Sequence, residues 1–303
     1  SRSGGAARGA QSTPEARGLS RVTRGFWVCA VVAPVILAIP GCAQEPPRRG
    51  GGRPLVIVEA SGLSWPLISP MLADGRLPVL SGLYRKGSAG ILTTREPLVS
   101  GMIETTMATG QPASAHGLRR SVERVPGDYL LRTVGADRRK VPALWGLASA
   151  AGVTVGVGRW PGSFPAERVE GFMLAAAEID GERGWLYPEG ALGSEEWAGD
   201  SIGIPAEGKS LIAMDAGLES IVSQDLDALA RGLTLHRVYQ PELLLLHFDV
   251  VDAVAHGYWQ FHDPQYQRLA GSRGRPLQEP EKVARLGPAV ARSVEFFDAC
   301  LGL

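Results

Sequence analysis

Cysteine is scarce in this sequence. Three residues among 303, Cys29, Cys42 and Cys300, are too few and too scattered for a disulfide framework. Neither sign of charge is in excess, with 31 basic and 31 acidic residues, so an overall nucleic-acid-binding character has no basis. Charged residues amount to 20% against 45% hydrophobic, a balance that can bury a core and is not that of a disordered chain. The apolar run FWVCAVVAPVILAI, about 14 residues long, falls short of the ~20 that cross a bilayer as a helix. Histidine is rare too, five in all, so the position of each carries information. The length suits one large α/β domain or two small ones.

The N-terminal region has the order of an export signal. Arg17, Arg21 and Arg24 precede the apolar run, and the small residues of PGCAQEPP follow it. Ile39-Pro40-Gly41-Cys42 also resembles a bacterial lipoprotein signal, with Cys42 as the acylated residue; a plain secretory signal is the alternative. Residues 43–53, AQEPPRRGGGR, read as a flexible tether. The expected organisation is a lead and signal over 1–42, a linker over 43–53 and one domain over 54–303. An exported protein of the cell envelope, held at the membrane through Cys42, follows from it. Ser1 at the start, and an amphipathic pattern that continues to the end, lead us to expect a partial reading frame.

From residue 54 short β-rich runs alternate with helical patterns. PLVIVEA is a strand ended by Ser61-Gly62, and the next segment reads as helical pieces broken by Pro70 and Pro78 and closed at Gly87. SAGILTT is expected as a second strand, with a helix at about 101–109 stopped by Gly110 and Pro112. VPALWGLASAAG then leads as a helix into the strand VTVGVGRW. After a looser middle, the helix QDLDALARGLTLHRVYQ feeds the strand ELLLLHF. Such alternation predicts a doubly wound, mostly parallel α/β sheet with helices on both faces. In PAVARSVEFFDACLGL, the residues Val290, Val294, Phe297 and Leu301 form a helical stripe that needs a packing surface, and no later element follows it.

Ligand sites in such sheets form beyond the carboxyl ends of the strands, where Ser61, Ser100 and Asp252 are expected. Ser100 stands where a helix begins. It is either an N-cap or a hydroxyl beside free backbone N–H groups that favour phosphate. Thr105, Thr106 and Thr109 are rival hydroxyls, but within a helix they can bond back to the preceding turn. In DVVDAVAHGYWQF, Asp252 and His256 are either a helix-face hydrogen-bonded pair or ligands to one metal. His247, inside the apolar strand, reads as an interior hydrogen-bonded residue, and Asp249 as its terminator. His262 and Asp263 read as a solvated loop, Trp160, Tyr258 and Trp259 as packing aromatics, and Cys300 as a small buried hydrophobe.

Three segments carry a resemblance. PLVSGMIETTMATGQPASAHGL is similar to the nucleophile segment of the type I phosphodiesterase/nucleotide pyrophosphatase branch of the alkaline phosphatase superfamily. There a Ser or Thr stands nine residues before Thr-Gly, and counting back from Thr109 gives Ser100; His116-Gly117 closes the motif. VPALWGLASAAGVTVGVGRWPGSFPAERVEGFML resembles a second family stretch, and DVVDAVAHGYWQFHDP a third. The resemblance covers about residues 54–303. It implies two divalent metal ions, most commonly zinc, with Ser100 as nucleophile between them and Asp252 and His256 as ligands to one. It implies a phosphoester substrate, a small molecule, lipid or glycan.

One position departs from that pattern. The family's first strand ends in a metal-binding aspartate before a Gly, whereas VIVEASGLSW places Ser61 there. Glu59 shares a strand face with Ser61 and is the nearest substitute carboxylate. The family's later Asp-His pair and last His are not found in the sequence, so a competent two-metal site is not expected from these residues alone. A metal-dependent phosphoester hydrolase with a serine nucleophile is the first expectation. A non-catalytic relative that binds a phosphorylated or glycan ligand, and a phosphoryl transferase, are its rivals.

Overall fold

The computed structural model describes residues 53–94, 96–177, 183–193, 202–272 and 278–303; the signal, Cys42 and nearly all of the linker lie outside them. The chain opens with β1 (Leu55–Ala60), α1 (Trp65–Ala73), α2 (Pro78–Lys86), α3 (Met102–Thr109) and α4 (Ala113–His116). A small hairpin of β2 (Val122–Arg124) and β3 (Leu131–Thr133) follows, then α5 (Leu144–Ala150) and β4 (Val155–Gly158). Next come β5 (Gly171–Leu174), β6 (Leu186–Tyr187), α6 (Ala206–Ile212), α7 (Leu218–Tyr239) and β7 (Leu243–Phe248). Four helices close the order: α8 (Val250–His262), α9 (Pro264–Ser272), α10 (Pro280–Leu286) and α11 (Ala289–Leu301).

The main sheet has the order β1-β7-β4-β5-β6 and is parallel except for the last pair. Helices cover both of its faces, as the alternating pattern predicts. The Leu243–Phe248 run explains how. Leu243 and Leu245 join a cluster with Trp145, Val155 and Val157 on one face, while Leu244 joins Phe172 and Leu235 on the other. A strand buried on both faces has no polar alternation to show, which is why its sequence is an unbroken apolar run.

The stripe of α11 finds its surface among earlier elements, so it needs no later one. Val290, Val294 and Phe297 are fully buried with Phe248, Val250 and Val254, and the Phe248 and Phe297 rings meet edge-on at 5.2 Å. At roughly 1.5–3 kcal/mol for each fully buried large side chain, this contact far outweighs the fractions of a kcal/mol that valines lose in a helix.

Several expectations are corrected. SAGILTT forms no strand: it has no regular secondary structure, with Ile91 and Leu92 86% and 82% exposed. The Trp65 indole anchors it, donating to the Gly90 carbonyl at 3.0 Å. β-propensity without a neighbour to exchange hydrogen bonds with does not make a strand. Pro70 does not end a helix but lies inside α1, where its missing N–H leaves the Pro66 carbonyl without an i→i−4 donor; Pro78 does start α2. α7 begins at Leu218, six residues before the expected pattern. His262 is no loop residue. It ends α8, half-buried, with Nδ1 donating to the Gly287 carbonyl at 3.1 Å.

Candidate active site

Parallel pairing of β1 with β7 sets Glu59 directly beside His247. Their side chains form a short ion-paired hydrogen bond between Oε2 and Nδ1, and His247 Nε2 lies 3.9 Å from Asp249. Burial pushes His247 down, but the Glu59 bond and charge, together with Asp249 and Asp225, more than offset it, and the imidazole is held above its usual value. His247 is thus the interior hydrogen-bonded residue that its strand position predicts. Two residues on, just past β1, Ser61 Oγ donates to Glu59 Oε1 at 3.4 Å, and the Ser61 N–H donates to the Phe248 carbonyl at 3.1 Å.

Gly62 brings β1's exit loop against α8. Its φ is +79°, and a Cβ there would sit 2.8 Å from Asp252 Cα and 2.9 Å from its N. Only glycine permits both the left-handed backbone and so close an approach. Asp252 and His256 project from one face of α8, with Oδ2 and Nε2 3.3 Å apart, His256 open to solvent and Asp252 half-buried. Partial burial raises the Asp252 carboxyl; His256 opposes this, and Asp249 and Glu59 add to it. This i,i+4 contact is the helix-face pair in geometry, and it also leaves two donors pointing to one point in space.

Asp249 caps α8 with its backbone only. The N–H groups of Asp249 and Val250 donate to the buried Asp225 of α7 at 3.0 and 2.9 Å. Arg159, just past β4, reaches the same carboxylate at 3.4 Å.

Ser100 is exposed, in the turn before α3, and its hydroxyl has no hydrogen bond among the described residues. The N-cap reading is corrected: the cap is Gly101, with φ of +79°. The expectation of free amides beside Ser100 is corrected as well. Gly101 N–H donates to the Glu104 carboxylate at 2.6 Å, and the Met102 and Ile103 amides donate to the Val99 carbonyl at 3.2 Å. Glu104 is buried. Desolvation raises its carboxyl, hydrogen bonds from the backbone oppose this, and nearby Glu59 raises it further. Its carbonyl accepts the Trp160 indole N–H at 3.0 Å, which ties α3 to the carboxyl end of β4.

The rival hydroxyls are occupied as expected. Thr105, Thr106 and Thr109 donate to the carbonyls of Gly101, Met102 and Thr105 at 2.5, 2.9 and 2.7 Å. His116 is a buried latch. The Leu118 N–H donates to its Nδ1 at 3.2 Å, so Nε2 carries the proton and donates to Thr106 Oγ1 at 3.0 Å. Burial, with Arg139, holds it neutral by lowering its value. Cys300 is buried and its thiol is pushed up to about 12, which leaves it inert.

The structure therefore joins Glu59, Ser61, His247 and Asp252 at one sheet edge. Ser100 has no direct bond to any of them and is linked through Gly101 and Glu104. Among the described residues no group of three or more His, Cys, Asp or Glu is arranged to hold a metal ion. Asp252 and His256 supply two donors, Ser61 brings no carboxylate, and Glu59 is engaged by His247, so these residues do not fit a two-metal centre. Glu104 and Asp225 escaped the sequence reading. Gly-x-x-Glu at 101–104 has the capping-box spacing that could have flagged the first; nothing local marks the second.

No curated protein matches the sequence. Among solved structures, phosphonoacetate hydrolase from Sinorhizobium meliloti 1021 in complex with phosphonoacetate matches at a TM-score of 0.41 and 16% identity, over 82% of this chain and 52% of that one. The same hydrolase in complex with phosphonoformate matches at 0.33 and 14%, over 82% and 54%. This chain thus spans about half the length of those structures. The family model of type I phosphodiesterase / nucleotide pyrophosphatase matches residues 55–302, and the chain belongs to that family.

Proposed function

We propose that this chain is part of a phosphoester hydrolase in which Ser100 is the nucleophile. The observation that carries the assignment is the state of the hydroxyls in the motif. The three threonines have their hydrogens committed to helix carbonyls, while Ser100 is exposed and unbonded. In the reaction, Ser100 Oγ forms a bond to phosphorus as the bond to the leaving oxygen breaks, and the hydroxyl proton passes to solvent. Water then cleaves the seryl phosphate and regenerates the hydroxyl. Asp252 and His256 are the residues that would hold one divalent ion, zinc by family resemblance. Turnover of an aryl phosphodiester with added zinc is the assay. Ser100→Ala should lower it by several orders of magnitude, as loss of a nucleophile does. Activity that survives the change removes Ser100 from the mechanism.

A second reading, a non-catalytic relative that binds a phosphorylated or glycan ligand, is favoured by Ser61 at the position of the family's metal-binding aspartate. Ser61→Asp should then raise the bound metal content over wild type; a wild-type protein already holding two ions per chain rules this reading out. Transfer to an acceptor other than water is distinguished by product analysis. We further propose export and lipid anchoring at Cys42. Cys42→Ser should release the protein from the membrane fraction, and continued retention in that fraction would contradict acylation at this residue.

A further inference from the structure

The β2–β3 hairpin departs from the charge balance of the chain as a whole. Residues 118–140 hold seven basic residues against three acidic ones. The acids are engaged. Glu123 pairs with Arg132 and Arg138, Asp137 lies 3.8 Å from both, and the Asp128 carboxylate accepts the Tyr129 N–H at 2.6 Å. Arg139 is bound by Glu167. Arg119, Arg120, Arg124 and Lys140 are exposed and form no ion pair among the described residues. At the tip, Tyr129, Leu130 and Leu131 are 88%, 64% and 55% exposed, and the Arg124 guanidinium lies 5.2 Å over the Tyr129 ring.

Three consecutive large apolar side chains in water, flanked by uncompensated cations, match one environment at both ends: apolar below, anionic above. We propose that this hairpin docks on an anionic phospholipid surface. Tyr129, Leu130 and Leu131 enter the interfacial layer, and Arg119, Arg120, Arg124 and Lys140 meet the lipid phosphates. A nucleic acid would satisfy the cations but leave the apolar tip exposed. A tip of three side chains is also far smaller than the ~800 Å² that each partner contributes to a stable protein interface. The root of the hairpin, Ser121, packs against Gly101, where an added Cβ would lie 3.0 Å from Ser121 Cβ. Docking therefore brings the Ser100 turn toward the same surface, although the docking itself is independent of catalysis.

The test is sedimentation of the full chain with phosphatidylcholine vesicles and with vesicles enriched in phosphatidylglycerol, at low and high salt. The N-terminal apolar run can partition by itself, so each variant is compared with the wild-type full chain. Wild type should prefer the anionic vesicles and lose that preference at high salt. Arg119→Glu with Arg120→Glu should weaken binding to anionic vesicles by at least about tenfold and leave binding to neutral ones unchanged. Tyr129→Ser with Leu130→Ser should weaken anionic binding as well. The two variants alter different exposed side chains, so a folding defect in one, seen by circular dichroism, leaves the other as the test. The proposal is overturned if wild type does not distinguish the vesicles, if both folded variants bind as wild type, or if single-stranded RNA outcompetes the vesicles.

Discussion

At the scale of residues, the pairing of Glu59 with His247 has a measurable consequence. The imidazole is held above its ordinary 6.5, so the folded state binds this proton more tightly than the unfolded chain does. Its contribution to stability is complete below about 6.5 and is lost as pH rises through the raised folded value. Urea unfolding should therefore show stability falling as pH increases across neutrality, with a shallower slope in His247→Gln. An unchanged slope in the variant would show that His247 does not set it. His116 shifts the other way and raises stability with pH only below about 6.5, so the His247 variant, and not the wild-type profile alone, is decisive. Ser100 shows the same dependence on surroundings. Its place in the motif could be counted from Thr109, but its freedom from hydrogen bonds, and the claim of Glu104 on the neighbouring amide, depend on how α3 is buried.

Among the elements, helix starts are handled at a distance. Neither α2 nor α8 has a side-chain cap of its own. Asp298 of α11 accepts the Val79 and Leu80 amides of α2 at 3.1 and 2.7 Å, and Asp225 of α7 does the same for α8. Both aspartates are buried, so removing one leaves donors that water cannot reach. Asp225→Ala should lower the unfolding free energy by roughly 1–3 kcal/mol by urea titration, and also free Arg159. A loss within experimental error would mean that solvent replaces the cap. Such caps are invisible to a local reading, because donor and acceptor are separated by 24 residues in one case and 218 in the other. The α11 stripe, by contrast, could be read at once, since its spacing lies within a single helix.

For the molecule as a whole, the sheet ends at β1, which pairs with β7 on one side and with no strand on the other among the described residues. Leu55, Val56 and Val58 are 58%, 50% and 37% exposed on it. A short apolar edge of this kind is a template for pairing with another chain. Val56→Lys should suppress concentration-dependent light scattering while changing unfolding free energy by no more than about 0.5 kcal/mol. Scattering that is unchanged would place the self-association elsewhere or exclude it.

By itself the sequence determined the alternation of strands and helices, the doubly buried β7 run, the back-bonded threonines and the motif spacing from Ser100 to Thr109. Each of these depends on periodicity or on neighbours within a turn or two. The tertiary structure alone decided that SAGILTT stays unpaired, that Glu59 is bound to His247, and that Glu104 occupies the amide beside Ser100. It also decided that Gly62 packs closely against Asp252. Those outcomes depend on which groups from distant parts of the chain remove each other from water. Hydrogen bonds and charges gain their strength from that desolvation, and no local pattern encodes it.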